Sequence, residues 1–257
     1  MTAAAVLDQA LALPGLWVLA LAVTLAGLVR GFAGFGSGLV YMPIAGAVLP
    51  PAQAVAVLVL IDLIGPMANV PGALRNGAGR EVLILVGGML VGVPLGIWAL
   101  LALSPESFRW GTSLLGLTTV AALALGWQWR GPRGPRVTAA VGCVSGIVGG
   151  ATALPGPPVI LYYMASPLPV AQIRANMTLF LVLVDVMLTA MLALAGQLSV
   201  PLAMLSALLL VPFTLGNLVG SRLFHPDRVA TYRTLAWVMI AASALIGLPL
   251  WDKGLAQ

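Results

Sequence analysis

Apolar residues fill this chain in long stretches, separated by short breaks that are charged or rich in Pro and Gly. The stretches cover residues 16–49, 52–74, 82–103, 108–129, 137–166, 174–196, 201–224 and 231–250. Six of them have the length of one membrane-spanning helix, which needs about 20 apolar residues. The first and the fifth are longer, and each contains a glycine-rich break. We therefore expect each of these two to form two short helices that meet at a turn inside the protein.

The composition agrees with a membrane protein. Hydrophobic residues make up 61% of the chain and charged residues 7%, against about 45–50% and about 25% in soluble proteins. The single cysteine and single histidine exclude a disulfide framework and a zinc module, so we expect neither a metal nor a cofactor. In a membrane protein, the basic residues behind the net charge of +5 are topology signals and do not indicate nucleic-acid binding.

The positions of the basic residues favour a hairpin in each long stretch. If each long stretch crosses once, the basic residues in loops divide six against five between the two sides; if each enters and returns, the division is ten against two. Cytoplasmic loops collect Lys and Arg, which favours the second count. Only Arg109 and Lys253 then face outward. The cytoplasmic ten are Arg30, Arg75, Arg80, Arg130, Arg133, Arg136, Arg174, Arg222, Arg228 and Arg233.

Similar motifs recur in the two halves of the chain. Gly31-x-x-Gly34 is matched by Gly146-x-x-Gly149, and the helix after each motif carries a similar segment that ends in an acid, at 58–62 and at 181–185. With hairpins, each half crosses an odd number of times, so the halves are inverted. The predicted fold is an all-α polytopic membrane protein with two inverted repeats, each a glycine-broken helical hairpin followed by three spanning helices. The repeats are residues 1–130 and 131–257, within one membrane domain.

The glycine-rich breaks are candidate anion sites, because glycine leaves backbone N–H groups bare and a helix that begins at a break points its positive end into it. The alternative is close helix packing through small residues, although the proline-rich segment 155–158 must break a helix. Small hydroxyl side chains also bond the preceding helical turn. The candidate ligands are Gly31, Gly34, Gly36, Ser37, Gly38, Ser145, Gly146, Gly149, Gly150, Thr152, Pro155, Gly156 and Pro157.

Four charged residues are further candidates. Arg30 suits an oxyanion, which accepts two N–H groups from a guanidinium; alternatively it snorkels to the surface or pairs with a carboxylate. Arg174 is either a substrate ligand or a positive-inside anchor. Asp62 and Asp185 are acids in the middle of apolar stretches, which makes them candidate proton carriers. The alternative for both acids is a structural pair with Arg30 or with Asn69, Asn176 or Gln172.

The two glycine-rich motifs, 115 residues apart, resemble those of the sulfite exporter TauE/SafE family of bacterial permeases. The resemblance covers about residues 16–250, and the segments at 31–36 and 155–162 carry it. It implies transport of sulfite, sulfonates or related organosulfur anions. Where the wider family has a glycine triplet, this chain has Ala151, Thr152 and Ala153.

We therefore expect a secondary transporter of a small anion that works by alternating access, with proton coupling through Asp62 or Asp185. The alternatives are an anion channel or passive pore and, more remotely, an intramembrane enzyme acting on a lipid. An enzyme is disfavoured because Ser37 has no general base nearby, the only histidine being His225. The expected partners are the anionic substrate and the lipid bilayer, without nucleic acid; a homo-oligomer is compatible with the sequence.

The hairpin count makes a prediction about topology. In the bacterial inner membrane, both termini should lie outside the cytoplasm and the linker between the repeats inside. A reporter that is active only outside should be active after Gln257 and silent after Pro132. A reporter that is silent after Gln257 would contradict the hairpin count.

Overall fold

The structure is a computed structural model that describes residues 8, 10–67, 70–127, 129–132, 134–164, 166–223 and 229–250. Eleven helices have both ends among these residues, which contain no strand. These are α1 (Leu16–Ala33), α2 (Ser37–Ala45), α3 (Pro51–Ile64), α4 (Val70–Asn76), α5 (Gly79–Ala102), α6 (Pro105–Ala124), α7 (Pro135–Thr152), α8 (Gly156–Tyr163), α9 (Val170–Leu194), α10 (Val200–Leu223) and α11 (Val229–Gly247). Several residues considered above lie outside the described ones, namely Asn69, Arg133, His225, Arg228, Lys253 and Gln257.

Both long apolar stretches form hairpins. A Cβ placed on Gly15, just before α1, would lie 3.0 Å from Val48, just after α2. In the second half, Thr138 at the start of α7 hydrogen-bonds Tyr162 at the end of α8, at 2.9 Å. The returning arms are short: α2 and α8, with 9 and 8 residues, extend roughly 12–14 Å, less than half of the about 30 Å hydrocarbon layer. Each is therefore too short to cross that layer as a helix on its own.

The long helices differ in part from the prediction. Within the described ranges, three helices are long and apolar enough to cross a membrane, at Gly79–Ala102, Ala171–Leu194 and Val200–Leu223. The stretch 52–74, predicted as one helix, is divided into α3 and α4. The break falls at Pro66, which has no N–H to donate to the carbonyl of Asp62.

Glycines join the two halves through close helix crossings. A Cβ on Gly88 or Gly92 of α5 would collide with the α7 backbone at Ala139 or Cys143, and one on Gly216 of α10 with the α1 backbone at Thr24. The long arm of each hairpin thus packs on a long helix of the other half. This reciprocal packing is what an inverted repeat would produce, although the inverted relation itself stays a prediction.

Arg109 fastens α6 to the end of α11. It is buried, and it donates through Nε to the carbonyl of Gly247 at 3.1 Å and through Nη2 to that of Leu248 at 3.3 Å. The last carbonyls of a helix lack intrahelical donors, and a cation there also complements the helix dipole. Arg109, assigned above to the outer side as a topology signal, is thus a helix cap.

Two adjacent glycines of α5 test the crossing with α7. Gly88→Ala places a methyl group against the carbonyl of Ala139 and is expected to destabilise the protein by about 1–3 kcal/mol. Gly87→Ala meets nothing within 4 Å and should be neutral or mildly stabilising, because alanine favours helix. Thermal unfolding in detergent measures both, and equal midpoints would contradict the close crossing.

Candidate functional site

The turns of the two hairpins, residues 34–36 and 153–155, meet inside the protein and are called the tips below. The first tip reverses through Gly34 and Gly36, with φ of 81° and 93°, and the second through Ala153, with φ of 54°. A Cβ on Gly38, beside the first tip, would lie 2.7 Å from the side chain of Leu154 and 2.9 Å from the carbonyl of Ala153. Backbone of one half therefore touches backbone of the other at this point.

A small pocket lies where the tips meet, with a volume of about 30 Å³, enough for one or two water molecules. Its walls come from both hairpins and from α3 and α9. The lining residues are Arg30, Phe35, Gly36, Ser37, Gly38, Leu39, Asp62, Ala153, Leu154, Pro155, Gly156, Pro157, Leu181 and Asp185. Residues far apart in the sequence, including Arg30 and both acids, are thus brought together.

An ion pair forms one wall of the pocket. Arg30 Nη1 donates to Asp62 Oδ2 at 2.7 Å and to Ser37 Oγ at 3.0 Å, and Ser37 Oγ donates to the same Asp62 oxygen at 2.7 Å. Arg30 is 7% exposed, so it does not snorkel; its pairing with a carboxylate is the observed arrangement. Among the described residues, its Nε and Nη2 have no hydrogen-bond partner, so the other edge of the guanidinium remains available.

The second acid has a different environment. The Asp185 carboxyl makes no hydrogen bond to any described residue, and its Oδ2 is buried without a partner, as is Oδ1 of Asp62. A buried polar atom without a partner costs free energy. The pocket thus combines one guanidinium with two carboxyl groups, and only one carboxyl group is held by the guanidinium.

The starts of α2 and α8, which lie at the pocket, differ in the backbone N–H groups that they can donate. The N–H groups of Ser37, Gly38 and Leu39 at the start of α2 have no preceding turn to bond, and the first backbone bond there runs from Val40 to Gly36 at 3.3 Å. At the start of α8, proline occupies positions 157 and 158 and supplies no N–H. The bare donors are therefore concentrated at the first tip, beside Arg30.

Several predicted ligands are not among the residues that line the pocket, namely Gly31, Gly34, Ser145, Gly146, Gly149, Gly150, Thr152 and Arg174. Added Cβ atoms at Gly31, Gly146 and Gly150 would strike the backbone of a neighbouring helix, which agrees with the packing alternative, and one at Gly149 would strike Pro155. Their role in binding stays an untested prediction.

The polar members of that group have local partners. Ser145 Oγ donates to the carbonyl of Pro155 and so ties the second tip to α7. Thr152 Oγ1 bonds the carbonyl of Val148, one turn earlier, at 2.7 Å. Arg174 is exposed and lies beside Gly34, whose added Cβ would be 3.4 Å from its Nε. Ser37 is thus the one of the three predicted hydroxyl residues that lines the pocket.

Sequence reasoning missed five lining residues: Phe35, Leu39, Ala153, Leu154 and Leu181. The second tip lies about one helical turn later than the spacing of the motifs suggests, because α7 continues to Thr152. This places Ala153 and Leu154 at the turn. Leu181 could have been found, since it precedes Asp185 by one turn of the same helix face.

The fold and the pocket define a polytopic α-helical membrane protein with a buried, charged central site. The family model described as "Sulfite exporter TauE/SafE" matches residues 19–246, and the chain belongs to this family. Membership implies a membrane transporter of sulfite or related anions and supports the expectation that the protein is not an enzyme. No curated protein and no solved structure matches the chain.

The contact between the tips is tested at Gly38. A methyl group at this position cannot be accommodated unless Ala153 or Leu154 moves, which is expected to raise the free energy of the closed pocket by about 1–3 kcal/mol. Gly38→Ala should therefore lower anion flux in proteoliposomes. Gly111→Ala, on α6 with nothing within 4 Å, is the control. Equal flux in the two variants would show that the contact is not needed for transport.

Proposed function

We propose that the protein is a secondary transporter of a small anion, a sulfur oxyanion or an organosulfonate, in the bacterial inner membrane. The observation that carries the proposal is Arg30, which lines a pocket between the two hairpin tips and uses only Nη1 in its hydrogen bonds to described residues. Sulfite and sulfonate oxygens accept paired N–H groups from a guanidinium. The bare N–H groups at the start of α2 add donors, and the helix dipole adds positive potential.

Alternating access is the mechanism we propose. The charged groups of the pocket are 5–7% exposed, which supports an occluded state in preference to an open pore. The reciprocal packing of α5 on α7 and of α10 on α1 supports two inverted halves that can rock against each other. Such rocking would separate the tips toward one side at a time, with proton coupling through Asp62 or Asp185.

The test is flux in proteoliposomes with sulfite, small alkanesulfonates and carboxylates of similar size, with and without a pH gradient. Saturable flux of sulfite or sulfonate that responds to the gradient is the expected result. Equal flux of carboxylates would contradict the substrate class. Flux that rises without saturation would indicate a passive pore.

Arg30 gives a sharper prediction. Lysine keeps the charge that Asp62 needs but lacks the planar fork, so Arg30→Lys should weaken apparent substrate affinity at least about tenfold, or about 1.4 kcal/mol, with the fold intact. Arg30→Ala should also destabilise the protein, because it leaves Asp62 as an unpaired buried charge. The measurement is the KM of flux, together with thermal unfolding.

The matched control for Arg30 is Arg222→Lys, because Arg222 is exposed at the end of α10. This variant should keep the KM of the unaltered protein. An unchanged KM in Arg30→Lys would remove Arg30 from the substrate site.

A further inference from the structure

We infer that the two pocket acids have separate roles: Asp185 takes up one proton with each anion, while Asp62 stays the ionised counterion of Arg30. This inference rests on the proposed function and specifies its coupling step. It follows from the contacts of the two carboxyl groups and from the net charge of the pocket.

The contacts distinguish the acids. Asp62 shares one oxygen with Arg30 and Ser37, at 2.7 Å from each, and protonation of this carboxylate would break up a buried ion pair. Asp185 has no such partner among the described residues. A proton on Asp185 breaks no contact, and it gives the carboxyl group an O–H that can donate to a bound oxyanion.

Few charged groups act on Asp185. Asp62 on α3 and Arg30 on α1 share the pocket with Asp185, and the three are the ionisable residues among those that line it. Other helices that pack on α9 carry their ionisable groups elsewhere. Glu81 of α5 and Tyr163 of α8 contact Asn176, about 13 Å from Asp185 along the helix. The remaining ones, on α4, α5, α7 and α8, are Arg75, Arg80, Arg136, Cys143 and Tyr162, none of which lines the pocket.

The net charge of the pocket couples the binding of the proton to the binding of the anion. With both acids ionised, one guanidinium faces two carboxylates, and the net charge of −1 repels an anion. With Asp185 protonated the pocket is neutral, and the anion can use the open edge of Arg30. Proton and anion thus strengthen each other's binding by the same factor. The proton arrives at an Asp185 oxygen from the side on which the anion enters and leaves with it, so a monoanion crosses with no net charge.

The first experiment needs no substrate. Infrared difference spectra between acidic and alkaline pH report carboxyl groups that take up a proton, and a buried carboxylic acid absorbs at a different frequency from a hydrated one. The buried band should be present in the unaltered protein and in Glu106→Gln, the exposed-acid control, and absent in Asp185→Asn. A band that persists in Asp185→Asn and disappears in Asp62→Asn would overturn the inference.

The second experiment uses methanesulfonate, which carries one negative charge at every pH used. In proteoliposomes the unaltered protein and Glu106→Gln should move it without net current, and one unit of pH gradient should drive about tenfold accumulation. Asp185→Asn should move it with a current and without accumulation. A variant that still carries one proton per anion would overturn the inference. If neither methanesulfonate nor sulfite is transported, the proposed function fails, whereas the infrared bands still decide which of the two acids takes up a proton.

Discussion

The ion pair between Arg30 and Asp62 is the interaction on which the centre of the protein depends. Taking two charges out of water is costly, and their attraction offsets the cost only when the geometry is good and further hydrogen bonds are made. Ser37 supplies such bonds, because its hydroxyl group accepts from Arg30 and donates to Asp62. The pair thereby joins both arms of the first hairpin to α3. Among the described residues it also leaves one edge of Arg30 and one oxygen of Asp62 without partners, so the same interaction that stabilises the tip keeps polar groups available.

A broken helix can persist inside a membrane only if protein surrounds it, because lipid offers no hydrogen-bond partner for bare backbone groups. Eight of the nine residues of α2 are buried. The glycine crossings allow this enclosure, since they bring α10 onto α1 and α5 onto α7 at backbone contact distance. Glycines of one motif therefore have two different uses: Gly31 packs against α10, whereas Gly36 and Gly38 shape the tip.

This dual use limits what sequence reasoning can achieve. The length of the apolar stretches and their glycine-rich breaks correctly predicted hairpins. The charges within apolar stretches drew attention to Arg30, Asp62 and Asp185, which line one pocket. A glycine spacing of three or four, however, is common to helix crossings and to turns, so it could not separate Gly31 from Gly36. The division of 52–74 near Pro66 was not predicted, because the whole stretch has the length of one spanning helix. The capping of α11 by Arg109 is a tertiary contact over more than 130 residues, which no local pattern records.

The two halves share a hairpin of similar form, but they carry different polar residues at its tip. In the motif alignment Arg30 corresponds to Ser145, whose hydroxyl group is used to hold the second tip. Prolines at 157 and 158 remove N–H donors where α2 has them. The second half nevertheless contributes Asp185, an acid with no ion-pair partner among the described residues. A symmetric pair of sites would bind two anions, or none if each held an ion pair. The observed asymmetry instead places a donor-rich wall and a second acid at one pocket, which is the arrangement that the proposed coupling of one proton to one anion requires.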